Sequence, residues 1–415
     1  MAQQDLGTVR PNKALITLAA LGALALVVLT GFFAWTRLRP LRVAAYDLEA
    51  ADAAALKAIL ADRAVVGRPG ARLETLDPSQ ELGPLLAGRD RPDIVIGYAG
   101  AAMSANASLF AALPQGLEGR LPPPLRLAAS TEGRAFAIAL QADHFEFAYR
   151  AESLAAARLE APADLAALEA AARRLASRED WPVFVAGGED GSLLLLVTAL
   201  VETEGGASAS RALARALGAA PSLREALDAP LPGAAGDTSL REMLDGLVAW
   251  RERGLLHPEW YRMTHTDLAA FMERGMAPFV LMPLSLHRAL PTRVVRQYES
   301  AAFPSGRSGA SRSLAAPLLA AAAVELSPRR ARALELLAAL LGPEAQKRLC
   351  DATGLAPAAA SAEALDRQAS DARLWLAASR GALPDAGRAS KPTGAARSAL
   401  AREIRQYLEA GGAGF

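Results

Sequence analysis

From Leu41 onward the chain alternates short apolar runs with amphipathic helical stretches, and that alternation constrains the fold more than any other feature. Leu41–Tyr46 (LRVAAY) reads as a strand and 51–63 as a helix. Arg72–Leu76 is a weaker strand, and 93–98 (DIVIGY) is a continuous apolar strand between Pro92 and Gly100. Uninterrupted apolar strands separated by helices predict an α/β fold with a mainly parallel sheet covered by helices. Further on, 133–150 reads as two strands, 163–177 as a helix, 181–186 as a strand and 277–282 as another. Ser239 with Glu242 has the spacing of a helix-capping box, Ser327-Pro328 reads as a helix start, and Pro343–Thr353 reads as an amphipathic helix. The stretches 221–236 and 383–393 are rich in Pro, Gly and Ser and read as loops.

With 415 residues the chain is long for one core, so two lobes are expected. Before them lies Ala14–Trp35, which carries no charge. As a helix it would rise roughly 33 Å, enough to cross a membrane. Arg10 and Lys13 precede it, Arg37, Arg39 and Arg42 follow, and Phe32, Phe33 and Trp35 suit one interface. The small-x-small site Ala23-Leu24-Ala25 is followed directly by more apolar residues, so a retained anchor is expected rather than a cleaved signal.

Composition narrows the function. Basic and acidic residues number 45 and 44, for a net charge of +1, so no excess is available to neutralise a nucleic-acid backbone. Cys350 is the only cysteine, which excludes an internal disulfide and a cysteine zinc cluster, and its helix suits a buried structural thiol. The four histidines are scattered, and no metal site or cofactor is expected. No G-x-S-x-G, H-E-x-x-H, G-x-G-x-x-G or phosphate-loop pattern occurs, so an enzyme is not expected. The segment 387–393 (GRASKPT) departs from a phosphate loop because Pro392 follows Lys391.

Several stretches, in order, carry a family resemblance. Gly133-Arg134-Ala135-Phe136-Ala137-Ile138 through Tyr149, Ala161-Pro162-Ala163-Asp164-Leu165 and Glu202–Gly206 (ETEGG) are three of them. Trp250–Pro258 (WRERGLLHP) followed by Phe271–Ala277 (FMERGMA) is a fourth, and Pro343-Glu344-Ala345-Gln346 with Thr353-Gly354-Leu355-Ala356-Pro357 is a fifth. Together they resemble the extracellular solute-binding proteins of ABC sugar importers, the group of maltose-binding protein. That resemblance implies a two-lobed, type II-like periplasmic-binding-protein fold after one transmembrane helix. It places residues 1–13 in the cytoplasm and the folded part in the periplasm or outside the cell. It implies a monomer that clamps a small solute, a carbohydrate by default, and passes it to ABC permease subunits. The first lobe is expected over 41–148 plus 276–325, and the second over 149–275 plus 326–415.

Three positions depart from the sugar-binding pattern. Leu284 stands where a stacking Trp is common, Gly97-Tyr98-Ala99-Gly100 lacks the usual Trp and Asp, and Arg150 replaces the hinge Asn. The remaining cleft candidates are Tyr46 and Asp47 at the end of the first strand, Tyr98 at the end of another, Glu189 and Asp190 on a Gly-rich turn, and Ser285 and His287 after Leu284. Asp47 could instead cap the following helix. The alternative to a receptor is a binding-protein fold kept as an anchored sensor or scaffold.

Overall fold

The computed structural model describes residues 21–26, 39–67, 70–176, 181–233, 236–306, 318–364, 366–378, 384–412 and 415. Most of the expected anchor, 14–35, lies outside the described residues. Within it, 21–26 is helical, with Leu21, Leu24 and Leu26 exposed.

Among the described residues twelve strands follow one another: β1 (Leu41–Tyr46), β2 (Ala71–Leu76), β3 (Ile94–Tyr98), β4 (Ser130–Thr131), β5 (Arg134–Ala135), β6 (Ile138–Ala142), β7 (Phe145–Arg150), β8 (Val183–Val185), β9 (Phe279–Pro283), β10 (Tyr298–Ala302), β11 (Leu318–Ala323) and β12 (Ala356–Pro357). Six of them form a sheet in the order β2-β1-β3-β11-β6-β12, and four form a second in the order β8-β9-β7-β10. In the first sheet β1 runs parallel to β2 and β3, while β11 is antiparallel to β3 and β6. The central strands are apolar on both faces: Val43, Ala44, Ile94, Val95 and Ile96 are fully buried, as continuous apolar strands under helices should be. β11 consists of two leucines and four alanines and is buried throughout.

Each sheet has its own core. One gathers residues from 41–142 and 318–376, the other residues from 145–281 together with Phe303 and 386–408. This corrects the expected boundaries. Residues 279–302 belong with the second sheet, because β9 pairs on one side with β7 (Phe147 opposite Leu281) and on the other with β8 (Phe184 opposite Val280). Residues 333–341 belong with the first, where Ala333, Leu336, Leu337 and Leu340 pack. The final helix, Gly394–Glu409, returns to the second lobe through Leu400, Ile404 and Tyr407. Among the described residues the core segments change lobe three times along the chain, most directly where β6 continues into β7 across Asp143 and His144.

Among the described residues one helix, Asp190–Ala219, is long and apolar enough to cross a membrane. Its apolar stretch is 72% buried, and Leu193, Leu196, Ala199 and Leu213 form the centre of the second core.

The two stretches read as loops each hold a short helix, Leu223–Ala226 and Ala386–Ser390. Ser327 does not open a helix. Its hydroxyl donates to Asp93 at 2.6 Å, and the helix begins at Arg330. Ser239 caps its helix from one side only, because the Glu242 carboxylate bonds Thr238 instead. A complete capping box occurs at Thr264 and Asp267.

Candidate functional site

β1 and β3 run side by side, with Tyr46 opposite Gly97, so Tyr46, Asp47 and Tyr98 emerge at one edge of the first sheet. Open α/β sheets bind ligands at this edge. The next helix, Ala50–Ala61, begins there and brings Glu49 and Asp52 to it. Asp52 is 4% exposed and accepts a short hydrogen bond from the Tyr98 hydroxyl. Burial raises the pKa of Asp52 and holds that of the Tyr98 phenol well above its ordinary value. Asp47 does not cap the helix. It takes a left-handed backbone (φ 55°), and Glu49 stands at the N-cap without a side-chain bond.

The second lobe meets this edge with two arginines. The helix Ala386–Ser390 is capped by Asp385 and tied down by Ala386 N–H donating to Thr198 Oγ1 at 2.8 Å. Lys391 Nζ donates to the Leu217 carbonyl at 2.6 Å, closing the other end. From this helix the Arg388 guanidinium lies over the Tyr98 ring, its Cζ 3.6 Å from the centroid. Arg388 Nη1 is 3.9 Å from Asp47, and Nε is 3.3 Å from Asp385. Arg397, on the final helix, bonds Asp47 directly. Gly100 lets the lobes meet, since a Cβ there would collide with the Arg388 carbonyl oxygen. The Tyr46 hydroxyl bridges the same seam, donating to the Gln80 carbonyl at 2.9 Å and lying 3.4 Å from that of Pro392. The space left among Tyr46, Asp47, Tyr98, Arg388, Lys391 and Arg397 is about 10 Å³, room for no more than a water molecule.

Beside the arginines, His265 Nε2 lies 2.8 Å from Ser192 Oγ, and its backbone N–H donates to Glu189 at 3.3 Å. Burial lowers the pKa of His265, against the charges of Glu189 and Glu49. At the hinge, Ser285 Oγ donates to Asp143 at 2.5 Å, and the backbone N–H groups of His144 and Ser285 donate at 2.8 and 3.2 Å. Burial pushes the Asp143 carboxyl up to about 7 despite those bonds, and the Glu49 charge adds to the rise.

Of the residues singled out in the sequence, Tyr46, Asp47 and Tyr98 come together, with Glu189 and Ser285 on the second-lobe side and at the hinge. Two do not face the cleft. Asp190 pairs with Arg405 at 2.7 Å, and Arg405 also donates to the carbonyls of Gly187 and Gly188, which fixes the turn. His287 is fully buried, its Nδ1 2.6 Å from Glu146 Oε1. Leu284, at the missing Trp position, is buried against Ala356, Ala369 and Ala372. Arg150, at the hinge Asn position, donates to the Gly275 carbonyl at 2.8 Å. Glu49, Asp52, His265, Arg388 and Arg397 had no motif to mark them. The available signal was Asp385, a helix-capping residue three positions before Arg388. Among the described residues no group of three or more His, Cys, Asp or Glu side chains could hold a metal ion. Cys350 is buried, and burial raises its thiol to about 11.

No protein-family model matches the sequence, and no curated protein matches it. Solved structures do. A sugar transporter protein of Bacillus licheniformis in complex with stachyose is 16% identical, over 89% of this chain and 95% of that one, with a TM-score of 0.65. The bacterial solute receptor AcbH, described as having an exclusive preference for β-D-galactopyranose, is 13% identical over 89% of this chain and 98% of that one, with a TM-score of 0.70. A binding protein of Bacillus subtilis in an open conformation is 14% identical over 90% and 97%, with a TM-score of 0.69. The chain has the two-lobed α/β fold of these solute-binding proteins.

Proposed function

We propose that this chain is an extracytoplasmic solute-binding protein of an ABC importer, not an enzyme. In this reading residues 14–35 hold it at the bacterial cytoplasmic membrane, and it passes a small carbohydrate-class solute to permease subunits. The observation that carries the reading is the convergence of polar groups from both lobes on Tyr98: Asp47, Glu49 and Asp52 from one side, Arg388, Arg397 and His265 from the other. Such a cleft closes when a ligand contacts both lobes. Tyr98 is its aromatic face, and a sugar ring would stack there in place of the Arg388 guanidinium.

The test is thermal unfolding and calorimetric titration of the full chain in detergent against mono- and disaccharides. A ligand at about 100 times its Kd should add about 2.7 kcal/mol of stability, and Tyr98→Ala should abolish the shift. A cooperative unfolding transition unmoved by every saccharide overturns the reading. The second reading, an anchored sensor or scaffold without a working site, draws on one observation. The chain's own side chains already fill the seam, down to about 10 Å³.

A further inference from the structure

We infer that the solute of this cleft carries a positive charge, an amine or a guanidinium, and that Arg388 is the chain's own occupant of that subsite. The inference rests on the receptor reading above and narrows its solute class. Three features of cation recognition meet around the Arg388 side chain. The first is an aromatic face at contact distance, with Cζ 3.6 Å from the Tyr98 centroid. The second is carboxylates around that face: Asp47 at 3.9 Å, and Asp52, which holds the Tyr98 hydroxyl and so fixes the ring. The third is loose retention. Arg388 Nη1 is buried yet makes no hydrogen bond; apart from the ring, the guanidinium has Asp385 at 3.3 Å from Nε, on its own helix turn, and Asp47 at 3.9 Å from Nη1.

The charges behave differently once the lobes part. Asp47 belongs to Arg397 as well as to Arg388. Among the described residues Asp52 and Glu49 form no salt bridge with another arginine or lysine, and burial disfavours the charged form of the nearby His265. Glu49 is exposed at the mouth and makes no side-chain bond at its helix N-cap, but it lies within electrostatic reach of Asp52, Arg388 and His265. Withdrawing Arg388 therefore leaves an aromatic ring between carboxylates, open to a cation from solution. Burial raises the pKa of Asp52 and Glu49 and the Arg388 charge opposes that rise; an amine or guanidinium in its place would favour their charged forms in the same way, whereas a neutral hydroxyl ligand would not.

Calorimetric titration of the full chain in detergent with glucosamine, agmatine and glucose tests this. Glucosamine or agmatine should bind at least about ten-fold tighter than glucose. Arg388→Gln, which removes the competing occupant, should tighten that cation about ten-fold further, while Arg388→Lys should give no gain and Glu49→Gln should weaken it. Thermal unfolding shows that each variant is folded. Glucose binding as tightly as glucosamine overturns the cationic subsite and leaves the saccharide receptor standing. Unchanged or weaker cation binding in Arg388→Gln overturns the role of Arg388. If neither the wild-type protein nor Arg388→Gln binds any of the three, the cationic subsite falls, and the wider saccharide screen above decides the receptor reading separately.

Discussion

Asp143 and His144 are consecutive, both buried, and both forced toward neutrality from opposite sides. Burial carries the Asp143 carboxyl from its ordinary 3.8 to about 7 and lowers the His144 imidazole from 6.5 to about 4. Between about pH 4 and 7 the folded protein holds an Asp143 proton that the unfolded chain has lost, so this group's contribution falls as pH rises. Between about 4 and 6.5 the unfolded chain holds a His144 proton that the fold excludes, so that contribution rises with pH. The two slopes oppose each other at the hinge. Asp143→Asn removes one of them and keeps the acceptor for Ser285. Its stability relative to wild type should therefore grow by up to about 1.4 kcal/mol per pH unit from pH 4 to 7 and level off above, read from urea unfolding across that range. A flat difference would show that Asp143 is ionised in the fold. Close by, Glu146 is fully buried and pairs with His287 at 2.6 Å. Glu146→Leu removes the shortest partner of a buried imidazole, leaving Ser300 Oγ at 3.2 Å and Gln368 Nε2 at 3.5 Å, and should cost about 3 kcal/mol in the same assay. Residues such as Tyr46 and Tyr98 were legible as site candidates because strand ends can be located in sequence. His287 was not legible as a core residue, because it sits in the short helix Leu284–Ala289 and its partner Glu146 lies on β7, far away in the chain.

At the scale of elements, the helix Asp190–Ala219 is broken at Gly206, whose backbone (φ 63°, ψ −160°) is open to glycine almost alone. The preceding Gly205 has a separate task, since a Cβ there would collide with the Pro232 carbonyl oxygen. The Gly-Gly pair, one of the stretches that carry the family resemblance, forms a kink inside one long helix, because apolar residues on both sides remain in the same core. Gly206→Ala should cost about 1–3 kcal/mol in denaturant unfolding, and a loss below about 0.5 kcal/mol would show that the kink can straighten. Local patterns located other elements closely: Pro343–Thr353 is a helix over the expected residues, and β3 fills most of 93–98. What they did not contain was sheet membership. β9 is apolar throughout and would suit either sheet, and only its partners β7 and β8 decide which one it joins. The helix Ala386–Ser390 was hidden for a similar reason, since its short Gly- and Ser-containing sequence is held by Thr198 from elsewhere in the fold.

Across the whole molecule, the lobes are joined not only by the chain but by a charged seam. Asp47 receives both Arg397 and Arg388, and all three side chains are less than one-fifth exposed. Ion pairs this sheltered exceed the value of open surface pairs, so about 1–2 kcal/mol for the seam is a fair magnitude. That energy shifts an open–closed equilibrium about five- to thirty-fold, without any solute. Asp47→Asn should therefore release the lobes. Spin labels on cysteines placed at Lys57 in the first lobe and Arg224 in the second would report it, since both positions are exposed and the native Cys350 is buried away from label. Wild type should show one short interlobe distance at low salt, and Asp47→Asn should add a longer one. High salt should move wild type in the same direction, because exposed portions of the seam are screened within about 10 Å. Identical distributions in wild type and variant would mean that packing around Gly100 and Tyr46, rather than charge, keeps the cleft shut.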